Sequence, residues 1–263
     1  MASDLNKKVV ELCRQGKHEE LQEILKEEAA ANPQTSEDYV KRGMALSFLG
    51  RREEAMADFE KAIELDPRNA EAHMRRGGML LILKRPKEAL AECDEAIRLA
   101  PDCQDAYQTK GNVFMAMDRY EEAEVYYGRL AERFPNSRDF WELNRGAALS
   151  LLERYQEALS VFDAIGIPPK VDPYPSYSYY LSRAGVLACL QRYDQALDAI
   201  ARGMKATKEE GGCIPCFVGN CWRFPNLEPL RNPPYRERLE KIIGPKQRAS
   251  RESTARRRGD HVD

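Results

Sequence analysis

Histidine is almost missing from this chain: its 263 residues hold only His18, His73 and His261, each on a different segment. No HExxH, no Ser/His/Asp set, no Gly-rich phosphate loop and no pair of cysteine pairs appears either. The recognisable motifs for acid–base, metal-assisted and phosphoryl chemistry are therefore lacking. The chain is expected not to be an enzyme and to need neither cofactor nor metal. No run of about 18 apolar residues is present, and no basic-then-apolar leader precedes Ala2, so neither a membrane span nor a secretion signal is expected. No sign of charge dominates. The 41 Lys and Arg residues against 43 Asp and Glu leave a net charge of −2, which removes any general pull toward nucleic acid or anionic membrane. The seven cysteines form no paired framework; Cys13, Cys93, Cys103 and Cys189 are scattered, which suits a reducing, cytoplasmic setting.

What is present is a period. A small residue recurs at Gly43, Gly77, Gly111, Gly146 and Ala184, and an alanine follows each at Ala55, Ala89, Ala123, Ala158 and Ala196. Four residues later come Phe59, Cys93, Tyr127, Phe162 and Ile200, and prolines close the first three units at Pro67, Pro101 and Pro135. Gly43, Gly77 and Gly111 are spaced by 34 residues, as are the three prolines. Such a period is one antiparallel helix pair per unit. In the first clear unit, Ser36 is expected to cap a helix running to Gly50 with Tyr39, Gly43, Leu46 and Leu49 on one face. A second helix is expected from Arg52 to Leu65, burying Ala55, Phe59, Ala62 and Ile63. Asp66-Pro67 stops it, and Asn69 marks the turn.

These in-register copies resemble the tetratricopeptide repeat family, over roughly residues 2–208. The resemblance implies an all-α fold, a right-handed α-solenoid of about six antiparallel helix pairs with a C-terminal capping segment. The units read as 36–69, 70–103, 104–137, 139–172 and 177–208. A degenerate first unit over 2–35 carries Leu5, Leu12, Leu21, Leu25 and Pro33 in the repeat's apolar and closing slots, with Val9 and Leu21 in its small and alanine slots. Residues 209–245 are expected to cap the last unit. Within them, 225–243 resemble the segment that follows many bacterial arrays: Asn232 is placed to cap, Pro233-Pro234 to open a helix, and Tyr235, Leu239, Ile242 and Ile243 to form its apolar stripe. The stretch 246–263, with six basic and three acidic residues and almost nothing apolar, is expected to be disordered.

Two places break the regularity. Four prolines in the eight residues from Pro168 to Pro175 cannot be helical and read as a surface loop; the aromatics Tyr174, Tyr177, Tyr179 and Tyr180 that follow read as helix packing. Further on, Cys213, Cys216 and Cys221 have a C-x2-C-x4-C spacing. A structural zinc needs a fourth ligand, and the next His or Cys is His261, so these are expected to be plain thiols. A thiol- or metal-dependent regulatory module built on them is the alternative function.

The family resemblance implies a partner-binding concave face lined by the first helix of each pair. Counting slot 1 at Ser36, Ala70, Gln104, Asp139 and Tyr177, the lining slots give Val40, Met44 and Phe48; Met74, Leu81 and Ile82; Gln108, Asn112 and Met115; Leu143 and Leu151; and Leu181. Glu37, Glu71 and Asp105 form an acidic rim. The family's grip on the carboxylate end of heat-shock chaperones is not expected. Asn112 and Asn144 match its two asparagines, but Gln108, Leu181 and Gly185 stand where it requires cations. His73, in the slot that Tyr39 and Tyr107 hold elsewhere, is expected to be a packed core residue. The function so read is a cytoplasmic protein-interaction scaffold whose groove takes an apolar or amphipathic peptide segment, with no nucleic acid or membrane partner.

Overall fold

The computed structural model describes residues 4–166, 177–209 and 225–244; the Pro168–Pro175 loop, Cys213, Cys216, Cys221 and the 246–263 stretch lie outside the described residues. The helices are α1 (Asp4–Arg14), α2 (His18–Ala29), α3 (Ser36–Phe48), α4 (Arg52–Leu65), α5 (Ala70–Ile82), α6 (Pro86–Leu99) and α7 (Gln104–Ala116). They continue as α8 (Tyr120–Arg133), α9 (Arg138–Leu151), α10 (Tyr155–Ile165), α11 (Tyr177–Cys189) and α12 (Tyr193–Glu209). A 3-10 segment (Pro225–Arg231) and α13 (Arg236–Ile243) follow. Each helix packs on the next, odd helices first in each pair and even helices second, as an all-α solenoid.

The turn inside each pair is built the same way every time. Slot 15 lies in the left-handed region whatever residue fills it: Gly50 (φ 79°), Lys84 (62°), Asp118 (57°), Glu153 (58°) and Gln191 (60°). Its N–H donates to the slot-12 carbonyl, and the slot-16 N–H donates to slot 11, as in Lys84 N to Leu81 O at 3.1 Å and Arg85 N to Leu80 O at 2.9 Å. This is the Schellman arrangement, which satisfies the last carbonyls of the first helix. Gly16 (φ 68°) repeats it between α1 and α2, with Lys17 N donating to Leu12 O. Slot 16 is cationic in all of these turns: Lys17, Arg51, Arg85, Arg119, Arg154 and Arg192. In five of them it pairs with a glutamate three residues on, Glu20, Glu54, Glu88, Glu122 and Glu157. The carboxylates Glu54 and Glu122, at the start of second helices, thus serve the turn as well as the helix dipole.

Helix spacing within a pair comes from the small slot. A Cβ placed on Gly43 would lie 2.7 Å from Phe59 Cε1, one on Gly111 2.5 Å from Tyr127 Cζ, and one on Gly146 2.7 Å from Phe162 Cζ. No side chain fits there, so the ring of the second helix lies directly on the backbone of the first. Where the second residue is smaller, the contact relaxes: a Cβ on Gly77 would lie 3.1 Å from Cys93 Sγ, and Ala184, which carries a Cβ, is buried in one cluster with Ile200. The alanines Ala55, Ala89, Ala123, Ala158 and Ala196 are fully buried.

Helix starts depart from expectation at two places. The cap of α3 is Thr35, whose Oγ1 accepts from Asp38 N while Asp38 accepts from Thr35 N. Ser36 is the first helical residue, buried, and its hydroxyl donates to Ala62 O at 2.8 Å; the helix ends at Phe48 rather than Gly50. A capping box outbids a lone serine because it satisfies two orphan donors at once. At the C-terminal end, α13 begins at Arg236, and Pro233-Pro234 precede it in a turn in which Asn232 O accepts from Tyr235 N and Arg236 N. Leu239 and Ile243 are buried there with Leu227 and Leu230 against the α11–α12 pair, while Tyr235 and Ile242 pack at the edge. The second helix α4 spans Arg52–Leu65 as expected, and Asn69 caps α5, accepting from Ala72 N at 3.0 Å while Asn69 Nδ2 donates to Ser36 Oγ. Its Ile63 is only partly buried, whereas Ala55, Phe59 and Ala62 are buried.

Candidate interaction site

The first helices present their slot-13 residues at their C-terminal ends. Phe48, Ile82 and Leu151 remain 46%, 48% and 50% exposed there, with the small Ala116 between them in α7. Deeper slots behave differently. Val40 and Met44 are buried with Leu46 and Phe59, Met74 is buried against Ala96 and Ala106, and Leu181 is buried in the α9–α12 core. These four, placed in the groove by slot number, instead pack between neighbouring helices. α3 touches α5, α5 touches α7 and α9 touches α11, besides their own partners, so side chains at these positions meet a neighbouring first helix before they meet a ligand. Leu81, Met115 and Leu143 are partly buried against the same clusters.

Between α7 and α9 the face turns polar. Gln108 Nε2 donates to Asn112 Oδ1 at 3.1 Å and to Asn144 Oδ1 at 3.3 Å, and Asn144 Nδ2 donates to Phe140 O at 2.8 Å. Gln108 is only 9% exposed, and its Oε1 is a buried acceptor with no donor. Leaving such a group unpaired costs about 1–3 kcal/mol. At the rim, Glu37 and Asp105 are exposed, but Glu71 accepts from Arg75 Nη2 at 3.1 Å, so the acidic edge is partly neutralised by a cation that slot reading missed.

Another column missed in the sequence is slot 7: Arg42, Arg76, Lys110, Arg145 and Arg183. Arg42 pairs with the buried Asp58 of its own pair, Arg76 with Glu92 of its own pair and Glu60 of the pair before, and Lys110, Arg145 and Arg183 reach back to Asp94, Glu124 and Asp163 of the pair before. The hydrogen bonds that Arg42 donates to the Asp58 carboxylate hold its guanidinium above its ordinary value. His73 belongs to this polar seam rather than to an apolar core. Its Nδ1 lies 2.7 Å from Glu92 Oε2 and its Nε2 3.1 Å from Pro67 O. A recurrent cation before the small residue was the available sequence signal. Among the tyrosines, Tyr179 is buried and its hydroxyl donates to Phe162 O at 2.9 Å.

Profiles of the tetratricopeptide repeat match residues 40–102 and 80–145. The chain is a tetratricopeptide-repeat protein. No curated protein sequence matches it. Among solved structures, a tetratricopeptide repeat protein from Parabacteroides merdae superposes with a TM-score of 0.62 at 17% identity, over 88% of this chain and 86% of that one. TTC0263 of Thermus thermophilus gives 0.53 at 20% identity over 66% and 92%, and MamA of Desulfovibrio magneticus 0.52 at 15% over 68% and 98%. At these identities the likeness is one of fold.

As a tetratricopeptide-repeat protein it is a protein-interaction scaffold. Among the described residues, no group of three His, Cys, Asp or Glu side chains is arranged to hold a metal ion, and no helix is long and apolar enough to cross a membrane. Cys93 is buried at the Gly77 crossing, and burial pushes its thiol up to about 12, which suits packing rather than nucleophilic chemistry.

Proposed function

We propose that this tetratricopeptide-repeat scaffold takes an apolar or amphipathic peptide segment of a partner protein along the slot-13 edge of its first helices. One observation carries the reading: Phe48, Ile82 and Leu151 fill the same slot in three of the five clear units, with Ala116 between them, and each is about half exposed. Large apolar side chains left uncovered at one repeated slot, on one edge of the array, are the kind of exposed apolar surface that a partner covers. The segment would cross the amide cluster as well, where a main-chain N–H could supply the donor that Gln108 Oε1 lacks. Exposed Glu37 and Asp105 favour a basic flank and act more on association rate than on affinity. A chaperone-type carboxylate tail is disfavoured, because Gln108, Leu181 and Gly185 provide no cation to replace its hydration.

The test is a peptide-display selection on the full chain beside the triple variant Phe48→Glu, Ile82→Glu, Leu151→Glu. Exposed positions tolerate these changes, so helix content should stay at the wild-type level while apolar-anchored peptides are lost. Identical selections on both proteins would refute the reading.

A further inference from the structure

We propose that the amide cluster between α7 and α9 is a receptor for a primary carboxamide, the side chain of an asparagine or glutamine carried by the bound segment. The repeat is broken at this one junction. Slot 5 holds Val40, Met74, Leu143 and Leu181, but Gln108 in α7; slot 9 holds Met44, Gly78, Ala147 and Gly185, but Asn112 in α7. The first helices also part here. α3 meets α5, α5 meets α7 and α9 meets α11 closely, whereas α7 and α9 stand further apart, and the Gln108–Asn144 hydrogen bond spans the seam between them.

Each amide fixes the orientation of the next. Asn144 Nδ2 donates to Phe140 O, which turns Asn144 Oδ1 toward Gln108. The oxygens of Asn144 and Asn112 then take both N–H groups of Gln108 Nε2. Turning Gln108 over would set its oxygen against two oxygens, so the network decides the assignment. A matched pair is left over. Gln108 Oε1 is an acceptor without a donor, on a side chain nine-tenths buried. Asn112 Nδ2 is a donor on an exposed residue, with no acceptor among the described residues. The two side chains share a single hydrogen bond rather than the closed double pair that two amides can form.

That pair selects the ligand's chemistry. A carboxylate has no N–H for Gln108 Oε1. An ammonium offers nothing to Asn112 Nδ2, and its carboxylate is the exposed Asp105 at the rim. A main-chain N–H would serve Gln108 Oε1, but a trans peptide unit points its C=O the other way and leaves Asn112 unserved. A primary carboxamide carries N–H and C=O on one edge and closes both bonds together. It also ends a narrow stem, which reaches a nine-tenths buried group more readily than a main chain with its flanking residues. Gln108 in place of the chaperone-type cation thus turns an acid-binding arrangement into an amide-binding one.

The proposal rests on the slot-13 reading for the segment that presents the carboxamide, but its chemistry is tested without that segment. Propionamide and N-methylacetamide are isomers, one a primary amide and the other a trans secondary amide. Each is titrated into the full chain, beside propionate, and the side-chain NH2 resonances of Gln108, Asn112 and Asn144 are followed by NMR. Propionamide is expected to shift them saturably, with N-methylacetamide and propionate at least tenfold weaker. Asn112→Ala, at an exposed position, should abolish the shifts of Gln108 and Asn144 with helix content unchanged. Gln108→Lys restores a cation and should reverse the order, propionate then binding more tightly than propionamide. Equal binding of N-methylacetamide, no saturable shift, or wild-type behaviour in both variants would overturn the inference. The display selection separates the two readings: apolar-anchored peptides with no asparagine or glutamine at a fixed spacing from the anchors would leave the slot-13 edge standing and sink the carboxamide site.

Discussion

Replacing Gly146 by alanine tests how the helix pairs hold their spacing. The added Cβ would fall 2.7 Å from Phe162 Cζ, with Cε1 closer still, and the fully buried ring has no room to retreat. Alanine also favours a helix over glycine by about 0.5–1 kcal/mol, which works in the opposite direction. Gly78 supplies the control, since a Cβ there meets nothing within 4 Å. Gly78→Ala keeps only the helix gain and should raise the melting midpoint. Subtracting one variant from the other cancels propensity and leaves the overpacking cost, about 1–3 kcal/mol. For a chain of this size each kcal/mol moves the midpoint by about 2–4 °C, well within the resolution of a circular-dichroism melt. Adding Phe162→Ile to Gly146→Ala recreates the Ala184–Ile200 pairing found in the α11–α12 pair, and should recover about 1 kcal/mol relative to the sum of the single changes. Equal shifts for Gly146→Ala and Gly78→Ala, or strictly additive costs in the double variant, would show that the glycine–ring contact does not set the spacing.

Other perturbations follow from the same contacts. Ala123→Leu, at a fully buried crossing, should cost about 1–3 kcal/mol in urea denaturation, whereas Glu122→Leu on the solvated turn should leave the midpoint essentially unchanged. Asn69→Ala removes the α5 cap and the bond to Ser36 Oγ, and should lower stability by about 1 kcal/mol, read by the same denaturation. Hydrogen bonds from the Thr35 side chain and from the backbone of Thr35 and Gln34 hold Asp38 below its ordinary value of 3.8. Its contribution is therefore complete above the unfolded carboxyl's pKa and is lost as pH falls through the lower folded value. Melts across the acid range should show Asp38→Asn losing less stability on acidification than wild type.

Much of this architecture could be read from residue spacing, because the close crossings demand Gly or Ala at fixed intervals and nothing else substitutes. The small, alanine and ring slots all fall where the pairs touch, and α4 spans the residues expected of it. Capping was less legible: Thr35 and Ser36 are both good caps, and only the reciprocal bond with Asp38 decides between them. The lining of the concave face was the weakest reading. Slot number says which way Val40, Met44, Met74 and Leu181 project from their own helix, but the approach of the next first helix determines whether they are covered. The slot-7 cations and the Arg–Glu turns were visible as recurrences, yet their meaning depends on pairing across helices, which spacing along one helix does not reveal.

The central claim is that partners meet the slot-13 edge, and site-resolved photocrosslinking addresses it directly. A photoreactive amino acid would be placed singly at Ile82, at Leu151 and, as control, at the exposed Lys87 in the first turn of a second helix, α6. Crosslinked peptides would then be mapped by mass spectrometry against the peptides recovered by display. The account predicts adducts from Ile82 and Leu151 to the same apolar-anchored segment and none from Lys87. Adducts of equal yield from all three positions, or from Lys87 alone, would contradict it.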